Sequence, residues 1–352
     1  MKNYVIVGVM VAVGIGSMFV PQTGNIFLII LMFAVGLALL IKGGDVFVDG
    51  ATSIAERFHI PEILIGATVV SIGTTLPEVM VSATAAVGGS GQIAYGNAIG
   101  SVICNTALIA AITVAVKPTE TDRKALIIPV IFFFVSAAFY TFCACVFNRF
   151  DRWMGIVLLA IFVVYIVMSS VQAKKSLPLM GEKGEAAAEK ASAADIIKDI
   201  ILIVAGAFAI AMGANLLVDN GKALAQMAGV SDAVIGLTVI ALGTSLPELI
   251  TAITSLIKGH SSLSLGNLIG ANLFNIVLVS GMAVTLSPFD VPMQEFFGLN
   301  RTFIIDIPVM FGVMALLTLP PLIKGKLSRW QGIVLLVIYA AFCAVQFIFG
   351  QV

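Results

Sequence analysis

Long apolar runs alternate with short polar breaks along nearly the whole chain. Most runs reach the roughly 20 residues that an α-helix needs to cross about 30 Å of hydrocarbon. Breaks at glycine, proline and charged residues delimit ten of them. The predicted helices are 25 to 57, 62 to 87, 92 to 116, 124 to 147, 152 to 171, 195 to 229, 233 to 257, 262 to 286, 302 to 322 and 328 to 349.

A further apolar stretch, residues 4 to 20, follows Lys2 near the N-terminus. It is either an extra membrane helix or a signal peptide. Because no Ala-x-Ala cleavage site follows it, the pattern favours a retained helix. Residues 1 to 24 form this N-terminal hydrophobic segment.

Composition places the chain in a lipid bilayer. Of its 352 residues, 60% are hydrophobic and 11% are charged, and the mean hydropathy is +1.10. These values lie far outside the range of soluble domains and predict an all-α membrane protein. No room is left for a soluble enzyme domain. The formal net charge of zero indicates no nucleic-acid partner.

One polar segment, residues 172 to 194, separates two apolar halves at 25 to 171 and 195 to 352. Its Ala, Gly, Lys and Glu content is typical of a flexible linker. Basic residues are concentrated on the linker's side of the bilayer, whereas the other side holds few. By the positive-inside rule the linker is cytoplasmic and the chain spans the cell membrane. The basic residues on the linker's side are Arg57, Lys117, Arg123, Lys124, Lys174, Lys175, Lys183, Lys190, Lys198, Lys258, Lys324, Lys326 and Arg329.

The two halves are copies of one another. IGATVVSIGTTLPE at 65 to 78 matches IGLTVIALGTSLPE at 235 to 248, and GNAIGSVICN at 96 to 105 matches GNLIGANLFN at 266 to 275, all at an offset of 170. Each half contributes five helices, an odd number, so the second copy enters the membrane from the opposite side. Inverted repeats that meet near the midplane are typical of secondary transporters.

Glu78 and Glu248 occupy equivalent positions in the two copies, deep in their helices. A carboxylate near the bilayer centre costs about 2.5 to 3.5 kcal/mol on insertion scales, so it is a functional candidate by default. The alternative is a protonated acid that only hydrogen-bonds neighbouring helices. The surrounding motif favours an ion ligand.

Pro77 and Pro247 precede the two glutamates, and each is predicted to break its helix there and free backbone carbonyl oxygens. Together with nearby hydroxyl groups and the carboxylates, these oxygens predict an all-oxygen cage for a hard cation. No Cys or His is near in sequence, which disfavours a soft transition metal. The hydroxyl-bearing residues of the motifs are Thr74, Thr75, Thr244 and Ser245.

Other polar residues allow more than one interpretation. The amides of Asn97, Asn105, Asn267 and Asn275 are either site groups or interhelical hydrogen-bonding groups. Asp45, Asp49 and Asp219 lie toward helix ends and are expected to be solvated or gating acids. Asp306 is expected near the outer membrane interface. His59 and His260 are expected at the surface. The cysteines Cys104, Cys143, Cys145 and Cys343 are expected to act as small hydrophobic residues.

The duplicated motifs closely resemble those of the sodium/calcium exchanger branch of the calcium/cation antiporter superfamily. Its signatures G-T-[ST]-L-P-E and G-N-x-I-G occur here at 73 to 78, 96 to 100, 243 to 248 and 266 to 270. The resemblance implies sodium/calcium antiport by alternating access. It assigns calcium to Thr74, Glu78, Thr244 and Glu248. It assigns sodium to Ser71, Thr75, Ala241, Ser245, both glutamates, Asn105 and Asn275.

The chain departs from the family pattern at two positions, and two functions other than sodium/calcium exchange are also considered. Potassium-dependent relatives carry Asp where this chain has Asn275, and some relatives carry Ser where it has Ala271, which puts potassium transport in doubt. Proton/calcium exchange is an alternative within the class, and a cation channel is an alternative outside it. No nucleophile and base pair or zinc motif accompanies the acids, so no enzymatic activity is expected. The expected partners are the transported ions and the bilayer, with no cofactor.

Overall fold

A computed structural model describes residues 2 to 17, 25 to 58, 60 to 118, 120 to 176, 193 to 227, 243, 245 to 293, 295 to 296 and 298 to 349. Within them the fold is almost entirely helical, and nine helices are long and apolar enough to cross a membrane. The all-α membrane fold is therefore confirmed. The helices are α1 Lys2–Ser17, α2 Ile26–Arg57, α3 Glu62–Val87, α4 Gly91–Val116, α5 Arg123–Phe147, α6 Arg152–Ser176, α7 Ala193–Met227, α8 Leu246–Ile257, α9 Ser261–Leu286, α10 Thr302–Lys324 and α11 Arg329–Phe349.

The predicted helix bounds agree with the observed ones to within a few residues, apart from two places. α6 continues to Ser176, five residues past its predicted end at 171, and the Gln172 amide donates to the Lys124 carbonyl at 2.6 Å. The predicted helix 233 to 257 is described only as α8, since residues 228 to 242 lie outside the described part of the chain. Most of the linker, 177 to 192, also lies outside it.

The predicted N-terminal stretch at 4 to 20 is described as far as Ser17 and is helical there, as α1. Val7 and Met10 are buried, and Gly14 lies against Phe208 and Met212 of α7. This helix therefore packs on the outside of the pair formed by α2 and α7.

Small residues bring α2 and α7 into close antiparallel contact. A methyl group on Gly36 would lie 2.9 Å from the Gly213 carbonyl oxygen, and one on Gly43 would lie 3.1 Å from the Gly206 carbonyl oxygen. A third glycine, Gly50, approaches Asp199 in the same way. Because the three α2 glycines are seven residues apart, they lie along one face, and backbones in lipid associate closely along such faces.

The core of the protein is built from α3, α4, α8 and α9, the helices that carry the duplicated motifs. α9 is the most buried of the described spans, with 83% of its 18-residue apolar stretch inside the protein. The large apolar core connects α4, α5, α6, α9, α10 and α11. The motif helices are therefore largely covered by protein, which makes a buried polar site possible.

Short backbone pairings occur at both ends of the helix bundle, and each involves one of two residues that occupy equivalent positions in the repeats. Strands β1 Arg149–Phe150 and β2 Phe289–Asp290 are antiparallel, with Arg149 opposite Asp290. At the other end Glu120 forms an antiparallel bridge with Lys326. Glu120 and Asp290 differ by the repeat offset of 170, so each end joins an acidic residue of one connection to a basic residue of another. A second hairpin pairs β3 Glu295–Phe296 with β4 Leu299–Asn300.

Candidate ion-binding site

Two fully buried carboxyl groups form the centre of the site. Glu78 in α3 and Glu248 in α8 are both 0% exposed, and their carboxyl groups are close enough for a charge on one to affect the other. None of their four oxygens forms a hydrogen bond by distance and angle with a described protein group. Buried carboxylates without partners are costly unless a ligand neutralises them, so the pair has the properties of a cation site.

Pro77 does not break its helix as predicted, whereas Pro247 lies at a helix start, in agreement with a break there. Pro77 does not end a helix: α3 continues through it from Ser71 to Val87, and the missing N–H leaves the Gly73 carbonyl without its usual donor. Pro247 lies in the first turn of α8, which begins at Leu246. Glu248 therefore lies in the first turn of a helix, where unpaired N–H groups and the helix dipole favour a negative charge.

Hydroxyl groups of the first repeat contact the acid of the second. Thr74 and Thr75 are buried, and their hydroxyls lie near the Glu248 carboxyl group. The Thr74 hydroxyl also lies 3.3 Å from the amide oxygen of Asn267 in α9. The site is thus assembled from both repeats, as expected for a pocket on the pseudo-twofold axis.

Asn105 and Asn275 each begin a π-helical segment, Asn105–Ala110 in α4 and Asn275–Val279 in α9. Both side chains are 0% exposed, and neither the amide oxygen nor the amide nitrogen has a partner among the described residues. π-helical segments recur at functional sites because the wider turn reorients side chains and carbonyls. The structure therefore places an unpartnered amide at equivalent positions of the two repeats.

Ser71 follows a third π-helical segment, Gly66–Val70. Its hydroxyl lies 2.7 Å from the Gly66 carbonyl oxygen and 2.8 Å from that of Asn267, so it joins α3 to α9. Ser245 is buried at the N-cap of α8, and its hydroxyl has no hydrogen bond to a described group. Ala241 and Thr244 lie outside the described residues, so this half of the proposed ligand set is not placed.

The remaining motif amides link helices. The Asn97 amide nitrogen donates to the Glu78 carbonyl oxygen at 3.2 Å and to the Ser82 hydroxyl at 2.8 Å. Asn267, its counterpart, contacts Thr74 and Ser71 of the other repeat. The two amides therefore act at least as interhelical hydrogen-bonding groups, and both contact residues of the site.

The acids assigned to helix ends lie apart from the central pair. Asp45 and Asp49 form ion pairs with Lys258 at 3.7 and 2.7 Å, and Asp219 is exposed. Asp306 lies near the start of α10, but its side chain is only 8% exposed and accepts a hydrogen bond from Gln346 at 3.0 Å. Asp306 is thus covered by protein, and its expected position near the membrane interface stays a prediction.

The histidines and cysteines show one unexpected contact. His260 is not isolated at the surface: its Nδ1 lies 2.7 Å from Glu62 Oε1, which joins the starts of α9 and α3. His59 lies outside the described residues. All four cysteines are free, and Cys104 contacts the Tyr339 hydroxyl at 3.8 Å.

Sequence reasoning missed the π-helical segments and three buried polar residues beside the site. Ser82 binds Asn97, and Ser101 lies one turn before Asn105 with 4% exposure. Asn272, three residues before Asn275, is 0% exposed. The available signal was a polar residue one helical turn from a motif residue.

Comparisons with known proteins find similar chains of one family. The family model described as "Sodium/calcium exchanger protein" matches residues 28 to 171 and 198 to 348. The chain is 29% identical to sodium/calcium exchanger MaX1 of Methanosarcina acetivorans, with 91% of this chain and 98% of that protein covered. It is 34% identical to the putative antiporter CaxA of Alkalimonas amylolytica, covering 89% and 96%. A solved structure of the sodium-calcium exchanger NCX_Mj matches with a TM-score of 0.75 and 30% identity, covering 91% of this chain and 99% of that one.

Proposed function

The chain belongs to the sodium/calcium exchanger protein family, and from this premise we propose that it exchanges sodium for calcium across a membrane by alternating access to one buried site. The observation that carries the proposal is the pair Glu78 and Glu248, whose four carboxyl oxygens are buried and have no hydrogen bond to a described group. Buried hydroxyl and amide groups from both repeats belong to the same motifs as the pair.

The chemistry of these groups suits hard cations. Carboxylates, hydroxyls, amide oxygens and freed carbonyls are the ligands that calcium and sodium prefer. We assign calcium to Thr74, Glu78, Thr244 and Glu248. Sodium is assigned to Ser71, Thr75, Glu78, Asn105, Ala241, Ser245, Glu248 and Asn275.

Charge balance supports exchange through one shared site. Two carboxylates are neutralised by one calcium ion or by two sodium ions, so the two loads compete for the same oxygens. A third sodium ion would move one net charge per cycle. Such a step couples transport to the membrane potential at about 2.3 kcal/mol per 100 mV.

The inverted repeats supply a route to alternating access. α2 and α7 form a tightly packed pair, and α2 contacts α8 through Gly44 beside Ile250 and Thr254. Two halves that meet at a central site can rock so that the site opens to one side at a time. In the orientation that the distribution of Lys and Arg predicts, the linker at 172 to 194 is cytoplasmic and the protein lies in the cell membrane.

The test is calcium uptake by purified protein in liposomes. We expect an outward sodium gradient to drive calcium uptake, and an imposed proton gradient without sodium to drive none. Proton-driven uptake would instead support proton/calcium exchange. Uptake that persists without any counter-ion gradient would support a cation channel.

A further inference from the structure

A hydrogen-bonded cluster next to Asn105 connects the two repeats. The Asn272 amide nitrogen in α9 lies 2.7 Å from the Thr106 hydroxyl in α4 and 3.1 Å from the Met314 sulfur in α10. Asn272, Thr106 and Met314 are all 0% exposed. A polar contact buried this completely is expensive to leave unpaired, so it constrains how α4 and α9 fit together.

Thr106 lies at the point where α4 changes its helical geometry. It is the second residue of the π-helical segment that Asn105 begins, and its hydroxyl donates to the Val102 carbonyl oxygen at 2.7 Å. A π-helical turn is wider than an α-helical one, so it changes the direction of the side chains that it carries. The direction of the Asn105 side chain therefore depends on the position of Thr106 within this turn. The Asn272 amide holds the Thr106 hydroxyl from the neighbouring helix.

The cluster exists on only one side of the pseudo-twofold axis. At the repeat offset of 170, Asn272 corresponds to Val102 and Thr106 corresponds to Ile276. The hydrogen bond between Asn272 and Thr106, here called the clamp, therefore has no equivalent beside Asn275. The residue before it, Phe274, instead packs against Phe162 and Tyr165 at ring-centroid distances of 5.2 and 5.8 Å.

We infer that Asn272 is a positioning residue, which holds Thr106 and thereby orients the Asn105 amide for sodium. The inference rests on the proposed function, because it assumes that Asn105 contacts sodium and not calcium. If the clamp only filled space in the core, its loss would lower stability and affect both ions alike. If the contact positions Asn105, its loss should instead weaken sodium binding more than calcium binding.

The variants are chosen to keep size while removing one group. Thr106→Val removes the hydroxyl, Thr106→Ser retains it, and Asn272→Val introduces the residue found in the other repeat. The control is Thr318→Val: Thr318 is also 0% exposed, and its hydroxyl donates at 2.6 Å to the Met314 carbonyl within its own helix. Half-saturating sodium and calcium concentrations for exchange are measured in liposomes, beside the thermal midpoint in detergent.

We expect Thr106→Val and Asn272→Val each to raise the half-saturating sodium concentration about five-fold, the effect of losing one buried hydrogen bond. The calcium value should change by less than about two-fold. Thr106→Ser and Thr318→Val should bind sodium as the wild type does, and the double Val variant should be no worse than either single one, because both remove the same contact. If Asn272→Val does not fold, Thr106→Val decides the matter.

Equal shifts for both ions, or unchanged sodium values, would overturn the positioning role while leaving the exchanger function intact. A sodium shift in Thr318→Val as large as that in Thr106→Val would also overturn it. Absence of sodium-driven calcium flux from the wild type would instead refute the proposed function, and this inference with it.

Discussion

The hydroxyl of Thr74 lies 3.3 Å from the amide oxygen of Asn267, so a proposed calcium ligand of one repeat is held by a motif residue of the other. The same hydroxyl lies near the Glu248 carboxyl group. Both contacts cross between the repeats. A small change at this one hydroxyl should therefore affect ion binding more than it affects folding.

Thr74→Val should weaken calcium binding at least ten-fold, since it removes a proposed ligand oxygen, and contacts between a polar group and an ion contribute about 1.5 to 3 kcal/mol. Thr74→Ser keeps the hydroxyl and should stay near the wild-type affinity. Calcium titration of each purified variant by calorimetry checks this. Equal affinities for the Val and Ser variants would show that the hydroxyl has no part in the site.

Two ion pairs at the same end of the bundle should differ in their contribution to stability. Arg57 Nε lies 2.9 Å from Asp199, whose side chain is only 2% exposed, whereas Lys258 pairs with Asp49, which is 52% exposed. Arg57→Met leaves a buried carboxylate unpaired and should cost about 2 to 3 kcal/mol, less than for a fully buried pair because Arg57 is partly exposed. Lys258→Met should cost at most about 1 kcal/mol.

Thermal midpoints of the purified variants in detergent test this order. Asp199→Asn in the Arg57→Met background should recover part of the loss, because it removes the unpaired charge. A lower midpoint for Lys258→Met than for Arg57→Met would contradict the prediction.

Transport should not require potassium. Asn275 supplies a neutral, buried amide, with no partner among the described residues, where potassium-dependent relatives supply a carboxylate. Calcium flux with sodium as the sole monovalent cation should stay near its full rate. A many-fold increase on adding potassium would mean that the role assigned to Asn275 is wrong.

The linker should face the cytoplasm, as the distribution of Lys and Arg requires. A cysteine introduced as Ser176→Cys, at the end of α6, should resist an impermeant thiol reagent added to intact cells and react after permeabilisation. The reagent must first be shown not to label the native cysteines, since Cys145 is exposed. Rapid labelling from outside would reverse the proposed topology.

The helices were predictable because each apolar run ends at a glycine, proline or charged residue. Asp122 illustrates this, since it caps α5 by accepting from the Lys124 N–H at 2.9 Å. The pairing of Arg149 with Asp290 could not be predicted, since two-residue strands carry no periodic pattern and their partners are far apart in sequence.

The central acids and amides were predictable because the repeat presents each of them twice in an apolar helix. The clamp between Asn272 and Thr106 was not, because its residues have apolar counterparts, Val102 and Ile276, in the other copy. The π-helical turns at Asn105 and Asn275 were missed for a different reason: a single widened turn hardly alters the hydrophobic period.

The central claim is that Glu78 and Glu248 together bind the transported cations. Glu78→Gln and Glu248→Gln keep side-chain size but remove half of the negative charge that offsets the dehydration of calcium. Each should lose calcium binding and sodium-driven flux. The thermal midpoint should hold or rise, because the cost of a buried unpaired acid disappears.

The matched control is Asp306→Asn, since Asp306 is a buried acid outside the site. The amide oxygen of the introduced Asn can still accept the hydrogen bond from Gln346. The most direct measurement is sodium-driven calcium uptake by each purified variant in liposomes, with the thermal midpoint recorded for the same preparation. We expect no exchange by either Gln variant, an undiminished midpoint, and near-normal exchange by Asp306→Asn. Near-normal exchange by either Gln variant, or a larger loss in Asp306→Asn, would show that the two glutamates do not bind the transported cations.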